Sequence, residues 1–471
     1  MWVIALFSTV SILALGYMLA AWRDSASTGI LCWLTAAIVS IFAAVCTRPG
    51  GEAEQRAQRI LPFLLTATVA MYAAFQLAGG MSGPRSDVAL WLLVAGLVFL
   101  HHAWTKGGLD LATCRKRIFP LLLSGFLIVG VRTIRNNPNP HIDVFRLQQA
   151  AGEALTRLQD PYTATIPDLY GPASPYYIPM VKNGYTIYGF PYPPLIALIE
   201  FPSYWLLKDI RYTHLAAFII SAILIASMQV SWASLCAAVL LVVNPFSLLM
   251  VQYAWMEPIA ILLLCCMLFV AVRRPGGLPF WFGLFLSSKQ PVLALVPLVP
   301  LLIAEPWKWR RLAGFLGRSL AVVVLLHVPF LLWNRQAFVA SLLTVQVRAP
   351  LRTDLISYSA YLVRRGWPAP SVWLPLLYLP VGLALGIRRS PRSPAGFAVA
   401  GALVLVPFFA LSKQGAPNYY FLELGMMCCA LALAAGTGHG TPVKTDEAQV
   451  SDDPAPYGNP QDARHESVGH S

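Results

Sequence analysis

The sequence has 471 residues, of which 57% are hydrophobic and only 12% charged, with a mean hydropathy of +0.62. A soluble domain carries roughly 25% charged residues, so this composition excludes a soluble enzyme, a disordered chain and a fibrous protein. The formal net charge of +13 indicates cationic loops at membrane headgroups, and no nucleic-acid partner is expected. Apolar stretches of about 17–25 residues recur, each able to cross ~30 Å of hydrocarbon. We therefore expect an all-α, polytopic transmembrane helical bundle.

Four compact spans come first, and a fifth follows from Ile118 to about Thr133. After a long polar stretch, apolar segments resume and continue to about residue 436. Residues 1–117 are interpreted as an N-terminal four-span extension and 118–436 as a catalytic transmembrane core. Residues 437–471 are rich in Gly, Pro, Asp and Ser and are expected to form a disordered cytoplasmic tail. The first four predicted spans are 1–21, 28–46, 61–80 and 88–105. The later segments are 192–207, 212–227, 231–243, 255–272, 278–288, 290–303, 315–333, 371–387, 395–411 and 418–436.

Two long polar loops, 134–191 and 334–370, interrupt the apolar pattern, and loops of this length are usually functional. Lys and Arg concentrate in alternate short loops, which the positive-inside rule places in the cytoplasm. This assignment is consistent only if the proline-rich segment 193–207 dips into the outer face without crossing. The result is about fourteen spans in the plasma membrane, cytoplasmic termini and two long loops on the outer side.

Asp143 stands out in the first outer loop, in the run Asn136-Asn-Pro-Asn-Pro-His-Ile-Asp143-Val-Phe-Arg146. A carboxylate near the membrane surface can act as a general base for a hydroxyl group. A predicted helix at about Val144–Leu158 follows it, so Asp143 could instead cap that helix by accepting its free N–H groups. Both interpretations stay open on this pattern.

Two ionisable residues lie at the ends of later apolar segments. Glu257 precedes Pro258 after an Asn244-Pro245 helix break, which is typical of a helix start but also of a membrane-edge functional acid. Lys289 lies in Phe282-Gly-Leu-Phe-Leu-Ser-Ser-Lys-Gln-Pro, between two apolar runs. A lysine at this depth pairs with another group, binds a ligand anion, or reaches to the interface.

A second Ser-Lys-Gln turn occurs at Lys413, in Leu411-Ser-Lys-Gln-Gly-Ala-Pro-Asn-Tyr-Tyr420. With Arg348 and Arg352 of the second loop, Lys289 and Lys413 are expected to form a cationic pocket for phosphate. Contact of the two arginines with lipid headgroups is the alternative. The sequence has no Walker A loop, GxGxxG, HExxH or GxSxG motif, which disfavours a nucleotide-driven pump.

The order of these features resembles the GT-C class of membrane glycosyltransferases, and most closely glycosyltransferase family 87. The features are the loop Asp143, the turn Gln159-Asp-Pro-Tyr162, and Tyr192-Pro-Pro-Leu195 at the dip. The Asn244-Pro245 to Glu257 re-entry and the Gly283 to Lys289 spacing complete the pattern. The resemblance covers about Ile118 to Gly314, with a weaker echo at Lys413–Tyr420.

The resemblance implies transfer of a monosaccharide, mannose as the first expectation, from a polyprenyl-phosphate donor to a lipid or polysaccharide acceptor on the outer face. It implies inversion, with Asp143 as general base and Lys289 stabilising the leaving phosphate. Family 87 implies a reaction without metal, whereas some other GT-C enzymes hold a divalent cation with acids at the places of Asp143 and Glu257, so a metal stays open. The first loop has one Asp in place of a paired acid motif, which favours the reaction without metal. Further substrate-binding residues are expected at Arg146, Tyr192, Glu257, Gln290, Arg348, Arg352, Lys413, Asn418 and Tyr419.

The main alternative is a transporter or flippase of lipid-linked saccharides, which would use the same apolar bulk and cations without a base. Transporters commonly contain paired repeats with broken helices at matching positions. No repeat of fixed period is found, and the polar loops concentrate on one face. These observations favour an enzyme.

Overall fold

The structure is a computed structural model that describes residues 2–20, 28–47, 60–69, 110–174, 177–303 and 308–434. Within these ranges the chain is almost entirely helical, with one two-stranded hairpin, which confirms the predicted helical class. The fourth predicted span, most of the third and the tail 437–471 lie outside the described residues.

The helices follow the predicted apolar segments closely. Asn and Ser cap several of their starts, and Pro occupies many first turns, as expected where a missing N–H costs nothing. The long helices are α1 (Trp2–Ala20), α2 (Thr28–Cys46), α3 (Ile60–Val69), α4 (Leu111–Asn136), α5 (Asp143–Thr156), α6 (Pro194–Leu207), α7 (Arg211–Met228), α8 (Trp232–Val243), α9 (Pro245–Gln252), α10 (Glu257–Arg273), α11 (Leu278–Leu286), α12 (Trp309–Trp333), α13 (Leu374–Arg389), α14 (Pro394–Leu411) and α15 (Tyr419–Ala434).

In the described ranges, four of these helices are long and apolar enough to cross a membrane, namely α4, α7, α12 and α14. A fifth is added if α8 and α9, which are bent at the Asn244-Pro245 break, form one span. The shorter apolar helices have 10–17 residues. The number of about fourteen spans therefore stays a prediction.

The bundle is built around α15, every residue of which from Tyr420 to Ala434 is buried. α8 and α14 are almost as completely buried and pack against it, together with α1, α7 and α10. α2 packs on α14, so the first two helices are part of the bundle's centre. This position is consistent with their near-continuous apolar sequences.

The helices α12 and α13 lie at the periphery and expose large apolar side chains. Leu325 is 74% exposed, Leu332 79% and Leu377 69%. Such a surface is unfavourable in water and suits hydrocarbon. The long apolar helices and this exposed surface define an integral membrane protein.

The segment predicted to dip forms α6, a helix of 14 residues. At 1.5 Å per residue it is about 21 Å long, less than the ~30 Å of a hydrocarbon core. It begins at Pro194 and ends at Leu207, and the capping residue Lys208 has a φ of 58°, in the left-handed region. Its length fits the predicted dip.

Both long loops are folded. The first contains α5, close to the predicted Val144–Leu158, and a hairpin of Val181–Lys182 with Tyr185–Thr186. The second was predicted only as a polar loop, but it contains helices at Arg335–Val339, Val345–Arg348 and Tyr358–Arg364 and a π-helical turn at Ala340–Thr344. Asn334 and Ser357 cap two of these helices. Both capped helices contribute buried apolar side chains.

Candidate active site

The candidate site is a cavity of about 410 Å³ between the two long loops and the turn before α15. A cavity of this size can hold a small ligand. Its walls combine aromatic rings with polar groups, and Tyr and Trp offer an apolar face together with a hydrogen-bonding tip. The residues used below that line it are His141, Asp143, Tyr170, Tyr188, Tyr192, Trp255, Val345, Arg352, Asp354, Gln414, Asn418 and Tyr419.

Asp143 is the first residue of α5 and is half-buried in the cavity wall. Ile142, not Asp143, occupies the cap position, although Asp143 Oδ1 accepts a hydrogen bond from its neighbour's N–H at Val144 (2.9 Å). The same oxygen accepts a hydrogen bond from the Tyr170 hydroxyl (2.9 Å). Among the described residues no donor bonds Oδ2, so that oxygen is available to a ligand.

Tyr170 is oriented by two contacts with Asp143. Besides donating to the carboxylate, its hydroxyl accepts the Asp143 backbone N–H at 3.1 Å. Although 40% of the residue is exposed, partial burial and the negative charge of Asp143 raise the pKa of Tyr170 above its usual value. The hydroxyl therefore stays protonated and keeps donating to Asp143.

Arg211, at the start of α7, holds the backbone that leads into Asp143. It is fully buried and pairs with both carboxylate oxygens of Asp209. Its Nη1 donates to the Asn137 carbonyl (2.7 Å), and its Nη2 donates to the Ile134 carbonyl (3.3 Å). The guanidinium also lies 4.7 Å from the ring centroid of Phe145 on α5. One side chain thus joins the end of α4 to the start of α5.

The opposite side of the site is formed by three buried residues that we call the rear cluster: Glu257, Lys289 and Asn418. Glu257 Oε1 accepts from Lys289 Nζ and from Asn418 Nδ2, the latter at 2.9 Å. Glu257 Oε2 is buried without a hydrogen-bond partner in the described part of the chain. Lys289 is 5% exposed, and its Nζ lies 4.1 Å from the ring centroid of Tyr419. Asn418 and Tyr419 line the cavity and contact the Glu257–Lys289 pair, which does not line it.

The helix breaks seen in the sequence place the rear cluster. After α9, Ala254 adopts a positive φ of 55°, which is uncommon for a residue with a Cβ. That turn sends Trp255 into the cavity wall and starts α10 at Glu257. Lys289 follows the end of α11, in extended conformation. The Gln148 side chain donates to the Ala254 carbonyl at 2.7 Å, which ties α5 to this turn.

The backbone segment that contains Tyr192 accepts a hydrogen bond from the Gln290 side chain. Gln290 Nε2 donates to the Pro191 carbonyl at 3.0 Å, and the Tyr162 hydroxyl donates to the Tyr192 carbonyl at 2.9 Å. Burial and the negative charge of Glu257 raise the pKa of Tyr192, so its hydroxyl is neutral at the cavity wall. Gly189 allows this arrangement, because a Cβ there would lie 2.3 Å from the Tyr162 carbonyl oxygen.

The second loop is fastened to the turn before α15. Lys413 Nζ donates to the Val347 carbonyl (2.8 Å), and Gln414 Nε2 donates to the Pro350 carbonyl (2.5 Å). The Ile356 N–H donates to the Gly415 carbonyl at 2.8 Å. Gly415 is needed at this contact, since a Cβ would lie 2.5 Å from the Ile356 carbonyl oxygen.

The four cations expected to share a phosphate pocket do not line one pocket. Lys289 is paired with Glu257, and Lys413 bonds a carbonyl outside the cavity. Arg352 lines the cavity but pairs with Asp354. Arg348 lines a separate groove, described below. Arg146 is exposed on α5 and does not contribute to the cavity. Three of the four cations thus have a partner of their own in the fold, and Arg348 lines a different concavity.

Three residues that the sequence analysis did not single out contribute to the site: Tyr170, Trp255 and Asp354. Arg211 is a further functional residue, and it is fully buried. Arg211 gave one usable signal, since Asp209 lies two residues away and an Arg–Asp pair at the start of an apolar helix can be buried. Tyr170 gave none, because its loop is rich in tyrosine.

No family model matches the sequence, and a search of curated proteins finds no match. Among solved structures, the chain is similar to the crystal structure of ArnT from Cupriavidus metallidurans bound to undecaprenyl phosphate, with a TM-score of 0.45 and 16% sequence identity. The match covers 69% of this chain and 60% of that chain. The chain therefore spans less than two thirds of the length of that structure.

Proposed function

We propose that the protein is a membrane glycosyltransferase that moves a monosaccharide from a polyprenyl-phosphate donor to a lipid or glycan acceptor on the outer face of the membrane. Mannose is the first sugar to test. The observation that carries the proposal is the single cavity with two chemically different ends. Asp143 lies at one end, and the rear cluster lies behind Asn418 and Tyr419 at the other.

Asp143 is suited to remove a proton from the acceptor hydroxyl. Tyr170 fixes Oδ1, which leaves Oδ2 without a donor in the described residues. A carboxylate positioned in this way can accept a proton as the hydroxyl oxygen attacks the anomeric carbon. In our proposal the new glycosidic C–O bond forms as the bond to the donor phosphate breaks, and the configuration inverts.

Lys289 is suited to stabilise the charge of the departing polyprenyl phosphate. An ammonium has three donors, and the described structure assigns one of them to Glu257. Because Lys289 does not itself line the cavity, its positive charge would act on a phosphate held at the wall formed by Asn418 and Tyr419. Cations placed where negative charge develops are a large source of rate enhancement.

The aromatic walls are suited to hold the sugar between these ends. Tyr188, Tyr192, Trp255 and Tyr419 all line the cavity. Their rings can cover the apolar faces of a sugar while their polar tips bond its hydroxyls. We assign Tyr192 and Gln290 to positioning, because their segment joins the first loop to the rear cluster.

We further propose that the reaction does not require a divalent cation. Of the acids that line the cavity, Asp143 accepts hydrogen bonds from Tyr170 and Val144, and Asp354 is paired with Arg352. Activity in EDTA equal to that in added Mg²⁺ or Mn²⁺ is the expected result. Loss of activity in EDTA with recovery by one metal would contradict it.

The test of the proposed function is transfer of radiolabelled sugar in membranes supplied with polyprenyl-phosphate mannose, and then with its glucose and arabinose counterparts. Wild type is compared with Asp143→Asn at equal expression. Loss of a general base lowers the rate about 10²- to 10⁴-fold. Glu153→Gln is the matched control, since Glu153 is an exposed acid on the same helix, paired with Arg157.

Three results are distinguishable. Product from wild type and Glu153→Gln but not Asp143→Asn supports both the activity and the base. Equal product from the wild type and both variants would show that Asp143 only stabilises the start of α5, and Glu257 would become the candidate acid. Absence of product from every donor would contradict the enzyme and bring the transporter hypothesis forward.

A further inference from the structure

A second concavity of about 640 Å³ lies beside the candidate active site. Tyr188 and Val345 line both, so the two spaces share a wall. Its other residues come from Ile187 of the first loop and from the helical part of the second loop. Those second-loop residues are Arg335, Gln336, Val339, Ala340, Thr344 and Arg348. We call it the Arg335–Arg348 groove.

The groove is amphipathic. Ile187, Val339, Ala340 and Val345 provide an apolar lining, and Arg335 and Arg348 add two positive charges. In the part of the chain that the structure describes, neither guanidinium makes a hydrogen bond or an ion pair. By contrast, Arg211 and Arg352 each bond a neighbouring carboxylate. Two guanidinium groups that have no partner among the described residues and share one concavity are suited to a phosphate or another anion.

The groove also lies next to a lipid-facing surface. Arg335 follows directly after α12, whose last turn exposes Leu332 (79%) and Trp333 (49%). On the other flank, Leu343 is 59% exposed and Val347 77% exposed. Exposed apolar residues beside unpaired cations are typical of a membrane boundary, where a lipid presents a charged head above its chains.

The groove wall is not a regular helix. Ala340–Thr344 form a π-helical turn, a rare conformation that is frequent at functional sites. Within it, Ser341 accepts the Gly189 N–H at 3.0 Å. The ring of Phe338 lies 4.9 Å from that of Tyr162, centroid to centroid. These contacts fix the groove against the Tyr188 wall of the active-site cavity.

We propose that the Arg335–Arg348 groove binds the phosphate-bearing head of a lipid acceptor, whose sugar or headgroup hydroxyl then enters the cavity at Asp143. The inference rests on the proposed function and narrows its acceptor to anionic lipids. The donor phosphate, in contrast, is assigned to the wall in front of the rear cluster. The two phosphates thus occupy different spaces on either side of Tyr188 and Val345.

The binding test uses the full chain in nanodiscs of neutral lipid and a fluorescent single-chain phosphatidic acid as the probe. The variants are Arg335→Gln, Arg348→Gln and the double variant. Each charge-assisted contact that is lost is expected to weaken binding about tenfold. Arg335→Lys with Arg348→Lys should retain most of the affinity if charge is the main attraction. Arg157→Gln is the control, because Arg157 is an exposed first-loop arginine outside the groove.

Competition separates the possible sources of the phosphate. A diacylglycerol analogue of the same chain length should not compete, and inorganic phosphate should compete only weakly. Equal binding by wild type and the double Gln variant would overturn the proposal. So would displacement by inorganic phosphate as effective as by the lipid probe, since the groove would then be a site for a free anion. Unchanged thermal midpoints show that the variants are folded.

Kinetics distinguish failure of this inference from failure of the proposed function. The double Gln variant should raise the KM for an anionic lipid acceptor about tenfold or more, with the KM for the donor unchanged. Asp143→Asn should lose transfer and still bind the probe. If the probe binds through the two arginines while no donor gives product, the groove is supported and the glycosyltransferase proposal is not. If transfer occurs and the acceptor KM does not change, the groove assignment is wrong.

Discussion

The two ends of the candidate site differ in how they are built. The rear cluster consists of buried side chains at the ends of bundle helices, and its members bond one another. Asp143 and Tyr170 belong to a surface loop and keep contact with solvent, with Tyr170 40% exposed. The difference indicates that changes at the rear affect stability and function together. Changes at Asp143 and Tyr170 should affect function with little loss of stability.

The largest stability effect is expected from Lys289→Met. The variant leaves the Glu257 carboxylate fully buried with Asn418 as its remaining partner. Breaking a buried ion pair from one side costs about 3–5 kcal/mol, so the thermal midpoint of the purified protein should fall strongly. The double variant Glu257→Gln with Lys289→Met should recover much of the midpoint, because no unpaired charge is left, but not the transfer activity.

This cycle tests whether the pair acts as one unit. Additive losses from the two single variants would contradict the buried pair. Full activity in the double variant would contradict the role of Lys289 at the donor phosphate.

The next effect is expected from Arg211→Lys. Lysine keeps the charge but cannot reproduce the planar fork that bonds Asp209 and the carbonyls of Ile134 and Asn137. We expect a loss of about 2 kcal/mol in stability, since buried carbonyls lose their donor. We also expect a fall in kcat larger than any change in KM, because α5 and Asp143 shift. Arg273→Lys is the control, as that guanidinium is exposed and bonds one carbonyl. An equal response from both variants would remove Arg211 from the positioning of Asp143.

At the exposed end, Tyr170→Phe removes one donor to the carboxylate. The acceptor is charged, but the hydrogen bond is partly exposed. We therefore expect its loss to raise the activation free energy by about 1.5 kcal/mol, which lowers kcat roughly tenfold. The thermal midpoint should hardly change. A large drop in the midpoint with unchanged kcat would contradict the difference between the two ends of the site.

Tyr170 also makes a prediction about pH. Its pKa lies above the ordinary value of about 10, and the protonated hydroxyl is the form that donates to Asp143. The contact is therefore fully present below pH 10 and is lost only above the raised pKa. Activity of wild type and Tyr170→Phe should have the same alkaline profile up to pH 10. A decline seen in wild type and absent in the variant would contradict this.

The sequence predicted the helices better than the contacts between them. Continuous apolar runs and proline breaks indicate where helices begin and end, which is why α6, α10 and α14 lie close to their predicted segments. Pairing is different, because no local pattern links Glu257 to Lys289, which are 32 residues apart. Glu257 was singled out as an acid at a helix start near the membrane edge and Lys289 by its depth, but their mutual contact depends on how α10 and α11 pack.

In the second loop, the sequence failed to predict the helices themselves. Its composition is polar, so no helix was predicted between 334 and 370. The fold nevertheless buries Phe338, Leu342 and Ala360. Tertiary contacts here override a weak local pattern. The expected cationic pocket is not formed by the described residues, because Asp354 pairs with Arg352 and the Val347 carbonyl, distant in sequence, accepts from Lys413.

The smallest effect separates the sequence-based role of Lys413 from its position in the structure. Lys413 was expected to bind phosphate, but its Nζ donates to the Val347 carbonyl and does not line the cavity. Lys413→Met should therefore lower the free energy of unfolding by about 1 kcal/mol or less, because the contact is partly exposed. The KM for the polyprenyl-phosphate donor should stay within about twofold of wild type. Loss of one charged contact to the donor would change it more. Lys116→Met, at an exposed site near the start of α4, is the control for removing one charge from the protein. A donor KM raised tenfold in Lys413→Met but not in Lys116→Met would return Lys413 to the phosphate site. It would also show that the second loop moves when the donor binds.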